Sequence, residues 1–548
     1  MRRDTPPDGV RARLAAIGLD GRAEHPHRLS LGLRSAITTA EHILVRVTAS
    51  TFHLVLFVVA GAAAIPLLRL CLHPKFVRAF PRISITFGAT IVAYLAALTA
   101  TAFWQPALLV WVAAITCAVG GWLVWRSAGT YGASRHLPPG SLAILPLEPW
   151  INRWYYANLS AVHGPIFKTS HFFHPMVCIM SLESGLGLLK EYDDVRLRSP
   201  KVAPDRFVPC GFLRGMEPEN HKIYRKLVQS FITPEVLSAW EESVVADTGA
   251  VLTELAAHPG GVYAKPAWDK LLFISFSRLF FGIDPASEEF RKLEAGCRIT
   301  SRASERRITI PWLPSERRIE NALQDLCGLL QQYVGGRSFL AEIRRHHPQY
   351  LSDQQLLRLM IFMLHLSASD MAGLLQWVAK ILCDFPEAGL RLRAELDAGV
   401  PQSGPNSLAK CMLLETLRCQ QVEHLYRQAL EDIEWKGFLI PKGWIVRICL
   451  AEAHRDPTVF LNPNHFNPER FVSAPPTQKE FLPFGAFRRS CIGESVARTF
   501  VQGFLCTWTQ GWNWRQVGQS HEEYAGWHWT PGSDFRFVLT PRNSVAGL

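Results

Sequence analysis

The sequence predicts a mainly α domain with a minor β part, preceded by an N-terminal membrane anchor, and three observations predict it. From about residue 150 onward, apolar residues recur with helical period over long stretches near 285–300, 316–346, 353–384 and 406–421. Short β-like runs, Ile166–Lys168, Met176–Met180 and Trp444–Leu450, interrupt that pattern. Ahead of both, apolar stretches crowd residues 51–126, where a soluble domain rarely carries two near-spanning segments in tandem.

The elements follow in order. Residues 1–50 hold eight arginines among several acids and few large apolar residues, which predicts a basic, solvated tail with one helix near Ser35–Thr48. Within the anchor region, 51–126, Leu54–Leu68 is short, contains Pro66 and runs into Arg69, so it reads as re-entrant or interfacial. Phe87–Trp104 and Ala107–Trp125 each approach spanning length and are joined by Gln105-Pro106, which predicts a tight membrane hairpin. Its open ends carry Lys75, Arg78 and Arg82 on one side and Arg126 and Arg135 on the other. Basic flanks stay in the cytosol, so the remaining chain is expected to face the cytosol, at the endoplasmic reticulum if the cell is eukaryotic. Residues 127–149, with His136-Leu137-Pro138-Pro139-Gly140, stop helix and form a Pro/Gly hinge. Residues 150–548 make one large α-rich domain without a solenoid-period repeat.

Composition narrows the partners. The net charge of +11 is spread along the chain with no alternation of arginine and aromatic residues, which argues against nucleic acid and for a membrane surface or an acidic protein. Twelve cysteines fall at irregular spacings without a Cys-x-x-Cys pair, which argues against zinc and against a disulfide framework.

The most informative segment is Phe481–Gly493, FLPFGAFRRSCIG, followed at once by a helical run from Glu494 to about Trp508. Cys491 sits there at a helix N-terminus beside arginines, an electropositive setting expected to favour the thiolate that binds iron. Gly493 permits close approach of the backbone to a flat ligand. Upstream, Glu415-Thr416-Leu417-Arg418 lies on a predicted helix, so Glu415 and Arg418 share a face at i, i+3. Pro468-Glu469-Arg470-Phe471 offers a second arginine able to close a Glu–Arg–Arg network ahead of the cysteine loop. Exposed, such a pair is worth under about 1 kcal/mol. Buried and shared with Arg470, loss of one member costs on the order of 3–5 kcal/mol.

This ordered set, the Glu415-x-x-Arg418 helix, the stretch ending at Phe471 and the FGAFRRSCIG loop, resembles the cytochrome P-450 family over roughly residues 138–540. The resemblance implies the family's fold for 150–548 and a haem b whose iron takes its axial thiolate from Cys491, with Phe484 shielding the sulfur. It implies that Arg489 meets a haem propionate, that His221 and Arg225 in His221-Lys222-Ile223-Tyr224-Arg225 are propionate partners, and that Arg427 is another. Two carboxylates need neutralising, so three or four cationic groups make physical sense.

Two departures stand out. Phe487 takes a place where the family usually has glycine and is expected to crowd the turn near the haem face. The distal helix, Leu364-His365-Leu366-Ser367-Ala368-Ser369-Asp370-Met371-Ala372-Gly373, lacks the threonine that commonly follows an acid there to deliver protons during dioxygen cleavage. One register puts Asp370 at the acid position with Met371 in place of the alcohol. The other, anchored on Trp377 and Pro386 and better spaced, puts Asp370 at the alcohol position behind Ser369. Either way, proton delivery falls to Asp370, Ser369 or another serine, water or substrate. His365 reads as a satisfied core residue. Ile308–Pro314, between two Ser-Glu-Arg-Arg copies, reads either as a membrane-resting loop or as a capped linker.

The activity so implied is a monooxygenase that oxidises a small apolar substrate from the membrane with dioxygen, fed electrons by a separate reductase, since no flavin or nicotinamide domain is visible. Arg488 and Lys479 are expected to dock that reductase. Two alternatives remain open: a haem-thiolate isomerase, dehydratase or peroxide-using enzyme, and a non-catalytic haem-binding membrane protein.

Overall fold

The computed structural model describes residues 136–542 apart from 143–147, 172–173, 202, 306–313, 403, 405, 422, 474 and 526–527. The expected tail, the apolar hairpin and nearly all of the Ile308–Pro314 loop lie outside the described residues.

Helices dominate, as expected. They are α1 (Tyr155–His163), α2 (Leu182–Tyr192), α3 (Pro218–Phe231), α4 (Pro234–Ala256), α5 (Ala264–Phe281), α6 (Glu288–Glu305), α7 (Pro314–Gln332), α8 (Phe339–His346), α9 (Gln354–Asp384), α10 (Pro386–Asp397), α11 (Leu408–Thr416) and α12 (Glu494–Gly511). Local chemistry sets their ends. Thr233 accepts from Val236 N–H ahead of α4, with Pro234 as its first residue, and Asp353 accepts from Gln355 N–H at 2.8 Å to start α9. The expected helix over 316–346 is two helices, the second started by Ser338, whose side chain accepts from Ala341 N–H, and the link between them packs closely at Gly335. A Cβ there would meet Gly282 O at 2.8 Å and Phe281 O at 2.9 Å. The stretch over 406–421 ends its α-helix at Thr416 and continues as a π turn, Leu417–Gln421.

The β part is small. Strands β1 (Ile166–His171), β2 (His174–Ile179), β3 (Leu197–Arg198), β5 (His424–Ala429) and β8 (Ile445–Cys449) form one sheet in the order β1-β2-β8-β5-β3, in which β2 and β8 are parallel. Of the remaining strands, β4 (Val262–Tyr263), β12 (Arg536–Pro541) and β9 (Trp512–Val517) form a three-stranded sheet in that order, while β6 (Ile433–Trp435) pairs β7 (Phe438–Ile440) and β10 (Glu522–Tyr524) pairs β11 (Trp529–Pro531).

The main core gathers α3, α4, α5, α9, α11 and α12. Trp268 of α5 stacks on Phe537 with centroids 5.6 Å apart and meets Phe504 and Trp508 of α12 edge-on or tilted, so aromatic burial ties α5, α12 and β12 together. Among the described helices, α9 alone is long and apolar enough to cross a membrane, but it is the central core helix: Leu356–Leu364 and Met371–Ala379 are buried throughout. The six residues between, His365–Asp370, are half-buried or exposed. That break in the burial of a core helix marks where α9 borders a hollow.

Candidate functional site

The cysteine loop is a closed turn set against the start of α12. Cys491 N–H donates to Phe484 O at 2.6 Å, and the Gly493 N–H donates to the Cys491 sulfur. Gly493 has an ordinary negative φ and a Cβ placed on it would lie 3.9 Å from that sulfur, so its small size clears space beside the thiol. Phe484 is held by Arg498, whose guanidinium lies 5.4 Å from the ring centroid and pairs with Glu494. Phe487 keeps the left-handed conformation that glycine favours, φ 54°, and points its ring outward at 46% exposure. The expected crowding is therefore backbone strain at an exposed residue.

Cys491 is exposed, yet burial is the largest influence on its thiol and pushes its pKa up. Both hold when accessible surface opens onto a walled hollow rather than bulk water. Asp370 behaves alike: its side chain is accessible, while burial raises its carboxyl to about 6. The Asp370 charge is felt at Cys491, which places the accessible stretch of α9 near the cysteine loop. Ser369 is exposed beside Asp370. His365 shares a hydrogen bond with Thr300 of α6 at 2.8 Å and is driven by burial to about 4, which makes it the satisfied neutral histidine expected.

The electropositive setting expected for Cys491 is corrected by these contacts. Arg489 turns away, its buried side chain donating to Asp194 at 2.7 Å and to the carbonyls of Leu213, Arg214 and Met216. Arg488 is exposed, and Arg225 is the arginine whose charge lowers the thiol pKa, against the larger effect of burial. Arg225 itself donates to Ser490 O at 2.7 Å and Ser490 Oγ at 3.0 Å, which ties α3 to the loop. His221 is buried, and desolvation followed by Arg489 and Arg225 lowers it to about 4, so at neutral pH it is a hydrogen-bonding group and not a cation. Arg427 is buried in a bidentate pair with Asp193, 2.6 and 3.1 Å. The positive charge available to a dianionic cofactor is thus smaller than the count of basic side chains implied.

The Glu–Arg–Arg network forms as expected. Arg418 donates to both oxygens of Glu415 at 2.8 and 2.9 Å in a fully buried pair, and half-buried Arg470 reaches Glu415 at 3.1 Å. Arg418 also donates to His454 O and Pro463 O. His454, fully buried, accepts from Leu482 N–H at 3.0 Å, which links the network to the first residues of the cysteine loop.

Sequence reasoning missed His454, Asp193, Asp194 and Arg214. The last is exposed between buried Leu213 and Gly215, and its charge couples to Arg427 and Asp370. An aspartate pair closing a helix and one arginine in a turn carry no motif, so only their placement reveals them.

A thiol opening onto a desolvated hollow, a backbone N–H on its sulfur, and arginines and a neutral histidine on the rim fit a haem with an axial thiolate and two propionates. Comparison with known proteins agrees. Residues 330–527 match the family model for Cytochrome P450. Among curated proteins, the chain is 28% identical over 428 residues to abscisic acid 8'-hydroxylase 2 of Oryza sativa subsp. indica, covering 71% of this chain and 83% of that protein. It is 23% identical to ent-kaurenoic acid oxidase 2 of Arabidopsis thaliana, covering 70% and 86%. Among solved structures, the fold matches retinoic acid bound cyanobacterial CYP120A1 with a TM-score of 0.63 at 21% identity, over 74% of this chain and all (100%) of that one. It also matches a zebra fish cytochrome P450 with abiraterone, with a TM-score of 0.57 at 21% identity, over 71% and 99%.

Proposed function

We propose that the chain is a haem-thiolate oxidoreductase of the cytochrome P450 family, a monooxygenase that hydroxylates an apolar, terpenoid-class molecule drawn from a membrane. The observation that carries this reading is the pairing of an accessible, desolvated Cys491 with Asp370 across one hollow. When bound, haem b supplies the one-electron redox chemistry and the cleavage of dioxygen that the protein's side chains cannot perform.

The chain's own residues do the rest. Cys491 would hold the iron of a bound haem, and the Gly493 N–H on its sulfur would moderate the charge of the thiolate. Phe484, braced by Arg498, keeps water from that face. Arg225 and His221 would receive the propionates of a bound haem, and Arg427 and Arg489 would support them in the orientation fixed by Asp193 and Asp194. Asp370, near half-protonation at about pH 6, takes the place of the missing threonine in passing protons into the hollow, with Ser369 beside it. Electrons come from a separate reductase whose acidic surface meets exposed Arg488 and Lys479. Residues 51–126 anchor the chain and leave 150–548 facing the cytosol, with 127–149 as the hinge. The relatives' names, which specify abscisic acid and ent-kaurenoic acid, support the terpenoid class.

The first experiment is the dithionite-reduced difference spectrum with and without carbon monoxide. The expected result is the strongly red-shifted Soret band of a thiolate-ligated haem, lost in Cys491→Ser; a histidine-like band, or a Cys491→Ser protein that retains the thiolate band, overturns the assignment. The absence of a distal threonine favours one second reading, a haem-thiolate isomerase or dehydratase. Stoichiometric consumption of reductant and dioxygen with product separates the two.

A further inference from the structure

Arg214 sits in the middle of the 3-10 turn Leu213–Gly215, and the cysteine loop grips that turn by its backbone. Arg489, two residues before Cys491, donates to the carbonyls of Leu213, Arg214 and Met216 at 3.3, 3.2 and 3.0 Å. With the carbonyl edge so engaged and Leu213, Gly215 and Met216 buried, the Arg214 side chain is the exposed member of the turn. Its surface is not on bulk water. Burial is the largest influence on its guanidinium, and the charges it senses are Arg427 and then Asp370. Among the described residues its guanidinium makes no hydrogen bond or ion pair within contact distance.

The other arginines of the rim are committed: Arg427 to Asp193, Arg489 to Asp194, and Arg225 to Ser490. Among the described residues Arg214 makes no such pair: it senses Asp370 without a contact to it, and its planar fork of donors, out of bulk water, is costly until an acceptor arrives. One uncommitted guanidinium matches one monoanion, and its geometry is that of bidentate carboxylate recognition. Resting on the monooxygenase reading above, we infer that Arg214 binds the carboxylate of the substrate, and that the substrate is an apolar organic acid whose hydrocarbon body lies between this turn and α9. An ester or alcohol of the same skeleton leaves the fork unpaired and binds less well.

The full-length, haem-loaded protein in detergent micelles is titrated with abscisic acid, ent-kaurenoic acid and retinoic acid, and with the methyl ester of each, reading the Soret difference spectrum. At least one acid is expected to give a saturable shift, with its ester about 10- to 100-fold weaker, the factor that one charge-assisted hydrogen-bonded contact provides. Arg214→Gln brings the acid down to the ester's affinity, Arg214→Lys falls between, and both keep the wild-type haem content and reduced carbon monoxide band. Equal affinity of acid and ester for the wild type overturns the inference while leaving the terpenoid reading intact. Loss of haem from Arg214→Gln also overturns it, by placing the carboxylate on the cofactor. Failure of every acid and every ester to shift the band sinks the substrate class and this inference together, while the carbon monoxide spectrum still reports on the haem-thiolate centre.

Discussion

His454 is the buried joint between the Glu–Arg–Arg network and the cysteine loop, and acid should weaken it. Its carbonyl accepts from Arg418 at 2.9 Å and its Nε2 accepts from Leu482 N–H at 3.0 Å, so the ring must be neutral with its proton on Nδ1. Burial, then the charges of Arg418 and Arg455, holds its pKa at about 3, below the ordinary 6.5. The folded state therefore binds fewer protons than the unfolded state between those values. The stabilisation is complete above pH 6.5 and is lost as pH falls toward 3, with a slope of about 1.4 kcal/mol per pH unit for one proton. His454→Gln removes that proton while its side-chain oxygen can still accept from Leu482, and His454→Leu leaves the Leu482 N–H unpaired at a cost of about 1–3 kcal/mol. Urea unfolding of the full-length holoprotein, followed by tryptophan fluorescence at pH 7.5, 6.5, 5.5 and 4.5, gives the test. The Gln variant should lose one proton's worth of pH slope relative to wild type, and the Leu variant should in addition be less stable at pH 7.5. Parallel pH curves for wild type and Gln would refute the claim that His454 is buried neutral.

Three further outcomes are expected. Glu415→Gln removes the charge that pairs Arg418 and Arg470 in a buried site, which should cost on the order of 3–5 kcal/mol and appear as haem-free protein after purification, measured by haem-to-protein ratio. Phe487→Gly relieves about 1–2 kcal/mol of left-handed strain and gives back about 0.5–1 kcal/mol through the freer unfolded chain, so stability to urea should stay level or rise by under about 1 kcal/mol, and a clear loss would mean the ring has a partner. Asp370→Asn should abolish a limb of the rate–pH profile near pH 6 and divert reducing equivalents from product to peroxide, and an unchanged profile would remove Asp370 from the proton path.

Legibility divided along a physical line. The helices, the Glu415–Arg418 pair and the loop bearing Cys491 were readable because each rests on local spacing: period in α9, i, i+3 geometry at the end of α11, and a short turn closed by Cys491 N–H on Phe484 O. Arg470, 55 positions from Glu415, was readable only through its motif. Failures came where long-range packing overrides local character. The arginines near Cys491 in sequence predicted an electropositive thiol, but Arg489 spends its donors on Asp194, a residue 295 positions away in the chain. His221 was counted as a cation because its neighbours in sequence do not reveal that it is buried beside Arg489 and Arg225. The break between α7 and α8 is fixed by the Ser338 cap and by the close packing of Gly335 on Gly282 O, which no helical period records.

The same long-range pairing decides what the hollow selects. Asp193 and Asp194 follow the end of α2, and Asp194 adopts φ 64°, a conformation that costs about 1–2 kcal/mol for a residue with a Cβ. That twist lets two adjacent carboxylates serve two separate elements, Arg427 on β5 and Arg489 in the cysteine loop. Each pair is buried, and each cancels a positive charge that would otherwise add to the field of the site. With His221 neutral as well, the rim retains Arg225, held by Ser490, and Arg214, facing Asp370. Four arginines around a cavity would attract any anion; with two of them neutralised in place, Arg225 is left for the cofactor and Arg214 to read a single carboxylate. The strained aspartate turn is therefore better understood as setting the charge selectivity of the site than as adding stability, since breaking either pair would free a guanidinium and broaden the range of anions the hollow admits.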